Sequence, residues 1–260
     1  MFKKRFYYLI EFQYLGFRYH GWQKQPDVNT VQRMVERTLN YVLKQKFKTL
    51  SVGRTDAMVS ARQSYFELFI EDEPLEIDSF FPLFNLNLPP DIRALSIKQI
   101  DEDFNIIQQP KIKEYQYLFC VKEKMHPFCA PYMVNIQEDL NIDLMQKGAQ
   151  LFEGKHDYRS YAHRANSETQ TEGEILKCEL VENTTYEANF FPEVSYLLTV
   201  KGAGFKRNQI RLMMGVLIDL GREKIDLDFV KRTLDPETYK IKLEHIAQAS
   251  GLFLNKVDFL

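Results

Sequence analysis

The chain has 260 residues, 45% of them hydrophobic, and a formal net charge of −2. That length fills one large core or two modest ones without staples, and no apolar run approaches the roughly 20 residues of a membrane span. Three cysteines, Cys120, Cys129 and Cys178, make an odd, sparse set without metal-ligand spacing, which points to a reducing, cytoplasmic compartment rather than a disulfide framework. Lys3, Lys4 and Arg5 open the chain, but Phe6 to Ile10 is too short for the apolar region of a signal peptide.

Arg5 to Phe12 reads as a strand rich in aromatic and β-branched residues. Tyr14 to Gln25 is a loop carrying Gly16, Gly21 and the single tryptophan, Trp22. A helix follows, with Asn29 as N-cap, Gln32 placed for a capping box, and Val31, Met34, Val35, Leu39, Val42 and Leu43 at helical spacing. Lys48 to Val52 is a short strand that stops at Gly53, and Tyr65 to Ile70 is another. Ile77 to Phe84 is helical. Asn87 to Asp91, with two prolines, is a turn, and Arg93 to Ile100 is a strand.

The second half repeats the rhythm. Ile112 to Lys122 is a strand with Tyr115, Tyr117, Phe119 and Val121 on one face. Asp143 to Phe152 is a helix, and Ile175 to Val181 and Val194 to Lys201 are strands. Phe205 to Leu220 is a helix with Ile210, Met213, Met214, Leu217 and Leu220 along one side, and Lys224 to Leu234 is a shorter one. The pattern predicts an α+β fold of two ferredoxin-like (RRM-like) halves with antiparallel sheets. The boundary falls within Asp101 to Lys111, giving halves of residues 1–104 and 105–260.

Three polar clusters could carry chemistry. Gly53-Arg54-Thr55-Asp56-Ala57 follows a strand, and its glycine permits a tight turn that presents Arg, Thr and Asp on a loop. Taken alone, such a pentapeptide is more simply an Asp-capped turn. The aromatic strand around Tyr115-Gln116-Tyr117 suits stacking on a base, but equally forms a row of core aromatics. Gly202 to Arg211 offers a Gly-rich approach to a helix with basic groups beside it, a natural anion site or an ordinary amphipathic helix. The basic residues are unevenly placed: Lys44, Lys46, Lys48 and Arg54 lie close in sequence, as do Lys201, Lys206, Arg207 and Arg211. Solvated surface is the plain alternative for both groups. The five histidines show no metal spacing, so no metal is expected, and no Walker loop or nucleophile elbow is present.

These clusters, in this order, resemble the TruA family of tRNA pseudouridine synthases over nearly the whole chain. The likeness runs through Tyr14-Leu15-Gly16, His20 to Gln25, Thr30-Val31-Gln32, Gly53 to Ala57, Leu88 to Arg93, Tyr115-Gln116-Tyr117, Gly154 to Tyr158, Phe205 to Arg211 and Gly251-Leu252. The resemblance implies a homodimer that uses neither cofactor nor metal, with two ferredoxin-like halves joined around a central catalytic cleft. It implies isomerisation of uridine to pseudouridine in the anticodon stem-loop of tRNA. By position the nucleophile is Asp56, the stacking tyrosine Tyr115 and the arginine that pairs with the aspartate Arg211. Arg54, Lys44, Lys46, Lys48, Lys206 and Arg207 are the candidate RNA contacts. The reaction breaks a C–N bond and forms a C–C bond without redox change, so it needs no cofactor. A guanidinium beside a carboxylate favours its charged form and directs it through a fork of N–H donors.

The chain departs from the family pattern where Met58 replaces a glycine and Ser60 a histidine, and where Phe104-Asn105-Ile106-Ile107 replaces Phe-x-Ala-Arg. Thr171-Glu172-Gly173-Glu174 stands for Thr-Val-Arg, and Tyr14-Leu15-Gly16-Phe17 for Tyr-Asp-Gly-Thr. The catalytic trio is present while substrate-side basic residues are missing. That is the pattern of a divergent paralogue, and the alternative function is a catalytically impaired RNA-binding protein or RNA chaperone of the same fold.

Overall fold

A computed structural model describes residues 4–166, 168–238 and 240–260. Among the described residues the fold mixes ten strands, paired mostly antiparallel, with five α-helices. The chain forms two compact units: the first runs to Lys111 and takes in Leu254–Leu260, and the second is Ile112–Phe253.

In the first unit, β1 (Arg5–Tyr14) is followed by α1 (Val31–Val42), β2 (Phe47–Ser51), β3 (Ser60–Glu71), α2 (Ile77–Asn87) and β4 (Ile92–Ile100). Side chains alternate across a strand, and Tyr8, Ile10, Phe12 and Tyr14 are all buried on one face of β1. In the antiparallel ladder with β3, Ile10 stands opposite Phe66. α1 contributes Val31, Val35, Thr38 and Leu39 to the core, and α2 contributes Phe80 and Phe84. The α1 N-cap is Thr30, whose Oγ1 accepts from the Arg33 N–H at 3.3 Å. Asn29 therefore does not cap, and no capping box forms. The Asn29 carbonyl is drawn back to His20 N–H (2.8 Å), and the Gln32 side chain turns to Lys24 N–H and Glu36.

The second unit contains β5 (Lys111–Val121), β6 (Val134–Ile136), α3 (Ile142–Gln150), β7 (Gly154–Asp157), β8 (Glu172–Glu182), β9 (Tyr196–Gly202), α4 (Gln209–Gly221) and α5 (Leu227–Leu234). Its sheet order is β5-β9-β8-β7, with β6 parallel to β5. Tyr117 and Phe119 are fully buried in β5, so these two belong to the core and form no open stacking face; Tyr115 is half-buried. α4 is apolar nearly all round and buries Leu212, Met213, Met214, Val216, Leu217 and Leu220, as a helix enclosed by other elements must. It starts four residues later than its periodicity predicts, because Asn208 adopts a left-handed backbone (φ 56°). The last strand, β10 (Leu252–Phe259), completes the first unit's order as β4-β1-β3-β10. No helix is long and apolar enough to cross a membrane among the described residues.

Candidate active site

Asp56 lies in the loop between β2 and β3. Backbone hydrogen bonds specify this loop at nearly every step. Val52 N–H donates to the Tyr65 carbonyl (2.9 Å), Trp22 N–H to Thr55 (3.2 Å), Met58 N–H to Tyr19 (2.9 Å) and Val59 N–H to Asp56 itself (3.2 Å). The Thr55 hydroxyl shares a hydrogen bond with Tyr14 (2.8 Å), and Ser60 Oγ accepts from Gly16 N–H (2.9 Å). Two glycines let the 14–25 loop press onto this one. A Cβ on Gly16 would overlap the Val59 carbonyl, and one on Gly21, whose φ is +84°, would lie 2.5 Å from the Thr55 oxygen. Asp56 to Val59 is a turn closed by the Val59 bond, and its third residue, Met58, has φ 66°.

Beneath this pair of loops sits Asp91. It accepts from the Tyr19 hydroxyl (2.7 Å) and from Arg18 Nη2 (2.8 Å), with Arg18 Nε as a further donor, and its carbonyl takes the Leu15 N–H (2.9 Å). Burial pushes the Asp91 carboxyl up, but the hydrogen bonds from Arg18 and Tyr19 outweigh it and hold it below the usual carboxylate range. The Pro89-Pro90-Asp91 turn is thus the anchor of the loops that carry Asp56. Sequence reasoning does not pick out Arg18, Tyr19 or Asp91 as loop anchors, although the Leu88 to Arg93 motif is the available signal.

Arg54 is exposed two residues from Asp56. Lys44, Lys46 and Lys48 are exposed too, but Lys46 precedes β2 and the Asp56 loop follows it. At about 3.3 Å per residue the strand separates them by roughly 15 Å. The first unit therefore brings Arg54 to Asp56 and leaves the three lysines at the opposite end of β2.

In the second unit, Tyr115 projects from β5 opposite Val200 and meets Phe205 edge-on, centroids 5.3 Å apart. Arg211 is in the first turn of α4. Its Nε donates to the Ala247 carbonyl (2.8 Å) and its Nη1 to Asn208 Oδ1 (3.2 Å). Lys206 is half-buried and donates through Nζ to the Glu172 carbonyl (3.1 Å). Burial lowers its pKa, and the charge of Asp157 only partly restores it. Arg207 is exposed, its carbonyl held by His163 N–H (3.2 Å).

The segment at the departure from Phe-x-Ala-Arg has its own fastening. Ile106 is buried and its N–H donates to the buried Glu67 (2.8 Å). Lys111 Nζ donates to the carbonyls of Ile106 (2.6 Å), Ile107 (2.8 Å) and Gln109 (3.0 Å). Ile107 itself is 60% exposed. Among the described residues no group of three or more His, Cys, Asp or Glu side chains is arranged to hold a metal ion.

The comparisons agree with this assembly of motifs. A family model described as tRNA pseudouridine synthase matches residues 149–259. The chain is 30% identical to tRNA pseudouridine synthase A of Clostridium acetobutylicum over 251 residues, covering 96% of this chain and 98% of that protein. It is 29% identical to tRNA pseudouridine synthase A of Pseudothermotoga lettingae over 258 residues, 98% of this chain and 100% of that one. It is 27% identical to tRNA pseudouridine synthase A 2 of Bacillus cereus over 253 residues, 97% and 99% of the two. An identity of 30% sustained across nearly both full lengths, with the motifs in order, leaves one conclusion: the chain belongs to the TruA family of tRNA pseudouridine synthases.

Proposed function

We propose that this protein isomerises uridine to pseudouridine in the anticodon stem-loop of tRNA, with Asp56 as nucleophile. The base is cut from the ribose at N1, turned and rejoined through C5, so the C5 hydrogen is released to solvent and N1 gains a proton. Tyr115 receives the base, and Arg211 directs the carboxylate through its N–H fork. Arg54, next to the nucleophile, takes the phosphate backbone or helps to open the nucleotide. Lys44, Lys46, Lys48, Lys206 and Arg207 contribute the remaining phosphate contacts. Each unit is read as a ferredoxin-like half, and the enzyme as a homodimer, as the resemblance implies. Its place is the cytoplasm, consistent with three free, buried cysteines.

The observation that carries this reading is the loop bearing Asp56. Its backbone is bonded to Tyr65 of β3, to Tyr19 and to Trp22, and the hydroxyls of Thr55 and Ser60 are bonded to Tyr14 and Gly16. A carboxylate that must meet one carbon atom needs such preorganisation. The test is Asp56→Asn in tRNA labelled with tritium at uridine C5. Tritium release should vanish while the fold and tRNA affinity stay near wild type, since the change is isosteric and removes only the nucleophilic charge. Normal release from Asp56→Asn would sink the assignment. A wild-type chain that binds tRNA but releases no tritium would instead identify the RNA-binding paralogue.

A further inference from the structure

Arg211 does not hang freely from α4. Ala247 O and Asn208 Oδ1 accept from its guanidinium and help to set its plane. Asn208 occupies the N-cap position of α4, where an Asn side chain ordinarily accepts a backbone N–H of the first turn. Here it makes no such bond, and its oxygen serves Nη1 of Arg211 instead (3.2 Å). The left-handed backbone of Asn208 (φ 56°) is one that Asn tolerates better than most side chains. It sets the helix start at a position from which the Asn side chain reaches Arg211 three residues on.

The second acceptor belongs to a strap. Ala247 N–H donates to the Arg211 carbonyl (3.0 Å) while its own carbonyl takes the Arg211 Nε (2.8 Å). One helical turn on, Gly215 has no room for a Cβ because the His245 carbonyl lies there. One turn further, Asp219 holds His245 Nδ1 (2.9 Å). Arg211, Gly215 and Asp219 are spaced i, i+4, i+8 and so lie on one face of α4. Tyr117, buried in β5, pins the neighbouring carbonyl of Gln248 (2.8 Å). The strap is thus registered on the helix from one side and on the sheet from the other.

We infer that Asn208, acting with the 245–248 strap, is the positioning residue of Arg211: it fixes the plane in which the guanidinium is presented. This rests on the proposed role of Arg211 in turnover. Asn208→Gly is the informative variant, since glycine accepts the same backbone and the side chain is removed together with its acceptor oxygen. Asn208→Asp keeps an acceptor in that backbone and is the rescue.

With unmodified tRNA transcript and tritium release, Asn208→Gly should lower kcat by about tenfold to a hundredfold, the scale of a misplaced catalytic group. KM should stay within about twofold, because affinity is set elsewhere by phosphate contacts. The melting temperature should fall by no more than ~2 °C, and Asn208→Asp should recover most of kcat. In an Arg211→Lys background, Asn208→Gly should change kcat by less than about twofold, as expected when two residues act through one interaction. Wild-type kcat in Asn208→Gly alongside an impaired Arg211→Lys would overturn the positioning role and leave the function standing. Wild-type kcat in Arg211→Lys would remove the role of Arg211 and this inference with it. A kcat loss in both Asn208 variants that tracks a fall in melting temperature would also overturn it, showing a merely structural cap.

Discussion

At the scale of single residues, Met58 is the most informative departure from the family pattern. Two residues past Asp56 it occupies the third place of a turn with φ 66°, where that pattern has glycine. A β-carbon in this conformation crowds the backbone, at a cost of roughly 1 kcal/mol. The turn survives because it is closed by Val59 N–H on Asp56 and held from outside by Tyr19, whose carbonyl takes the Met58 N–H. Strain of this kind collects beside catalytic groups. Met58→Gly should therefore stabilise the protein by about 0.5–1 kcal/mol without moving Asp56. Chemical denaturation would show a higher midpoint at unchanged slope, and tritium release should be no slower than wild type. A destabilised Met58→Gly would mean that the side chain contributes more by packing than the backbone loses.

At the scale of elements, the Asp56 loop depends on a turn distant in sequence. Asp91, at the start of β4, ties the 14–25 loop down through Arg18 and Tyr19, and that loop in turn supports the Thr55 and Met58 backbone. The Asp91 carboxyl is held below its ordinary range, so it contributes stability in its ionised form. That contribution is complete above the unfolded value of about 3.9 and is lost as pH falls through the lower folded value. Asp91→Asn should cost about 1–2 kcal/mol at pH 7, discounted for the exposed Arg18 partner. The difference from wild type should hold down to about pH 5 and close below about pH 4. Thermal melts across that range would check it, and a gap that stays constant to about pH 3 would show that the ion pair is not the cause.

At the scale of the whole molecule, the question is how a chain with net charge −2 grips a polyanion. Its basic side chains are local: Arg54 two residues from Asp56, three lysines at the far end of β2, and Arg207 on the approach to α4. Lys48 lies on β2, which pairs with β3 off the main strand order, a place where lysines commonly guard a sheet edge. Ile107 stands exposed in a segment clamped by Glu67 and Lys111, at the place where the family pattern carries arginine. tRNA affinity should therefore fall less steeply with salt than in a basic relative. Ile107→Arg should tighten binding at low salt and steepen the slope of log affinity against log salt by about 0.7–0.9, one phosphate contact. An unchanged slope would place this segment away from the RNA. Light scattering should give twice the chain mass, and a monomer that modifies whole tRNA would rule out the dimer.

Much of this was legible in the sequence, because some features depend only on local chemistry. The period-two burial of β1, the apolar stripe of α1, the loop at Gly53 to Ala57 and the stop at Pro89-Pro90 follow from side-chain alternation and backbone sterics. The motifs, in order, identified the family. Other features depend on groups far away in the chain. Thr30 caps α1 rather than Asn29 because the Asn29 carbonyl has a partner in His20. Tyr117 and Phe119 are core residues because both faces of β5 are covered at that point. Leu254–Leu260 returns to complete the first unit, and Asn208 leaves the helix to hold Arg211. Composition and periodicity report which face of an element is apolar. Which hydrogen-bond partner a capping residue or arginine obtains is decided only when distant segments meet, since each buried polar group must then choose among the donors and acceptors actually within reach.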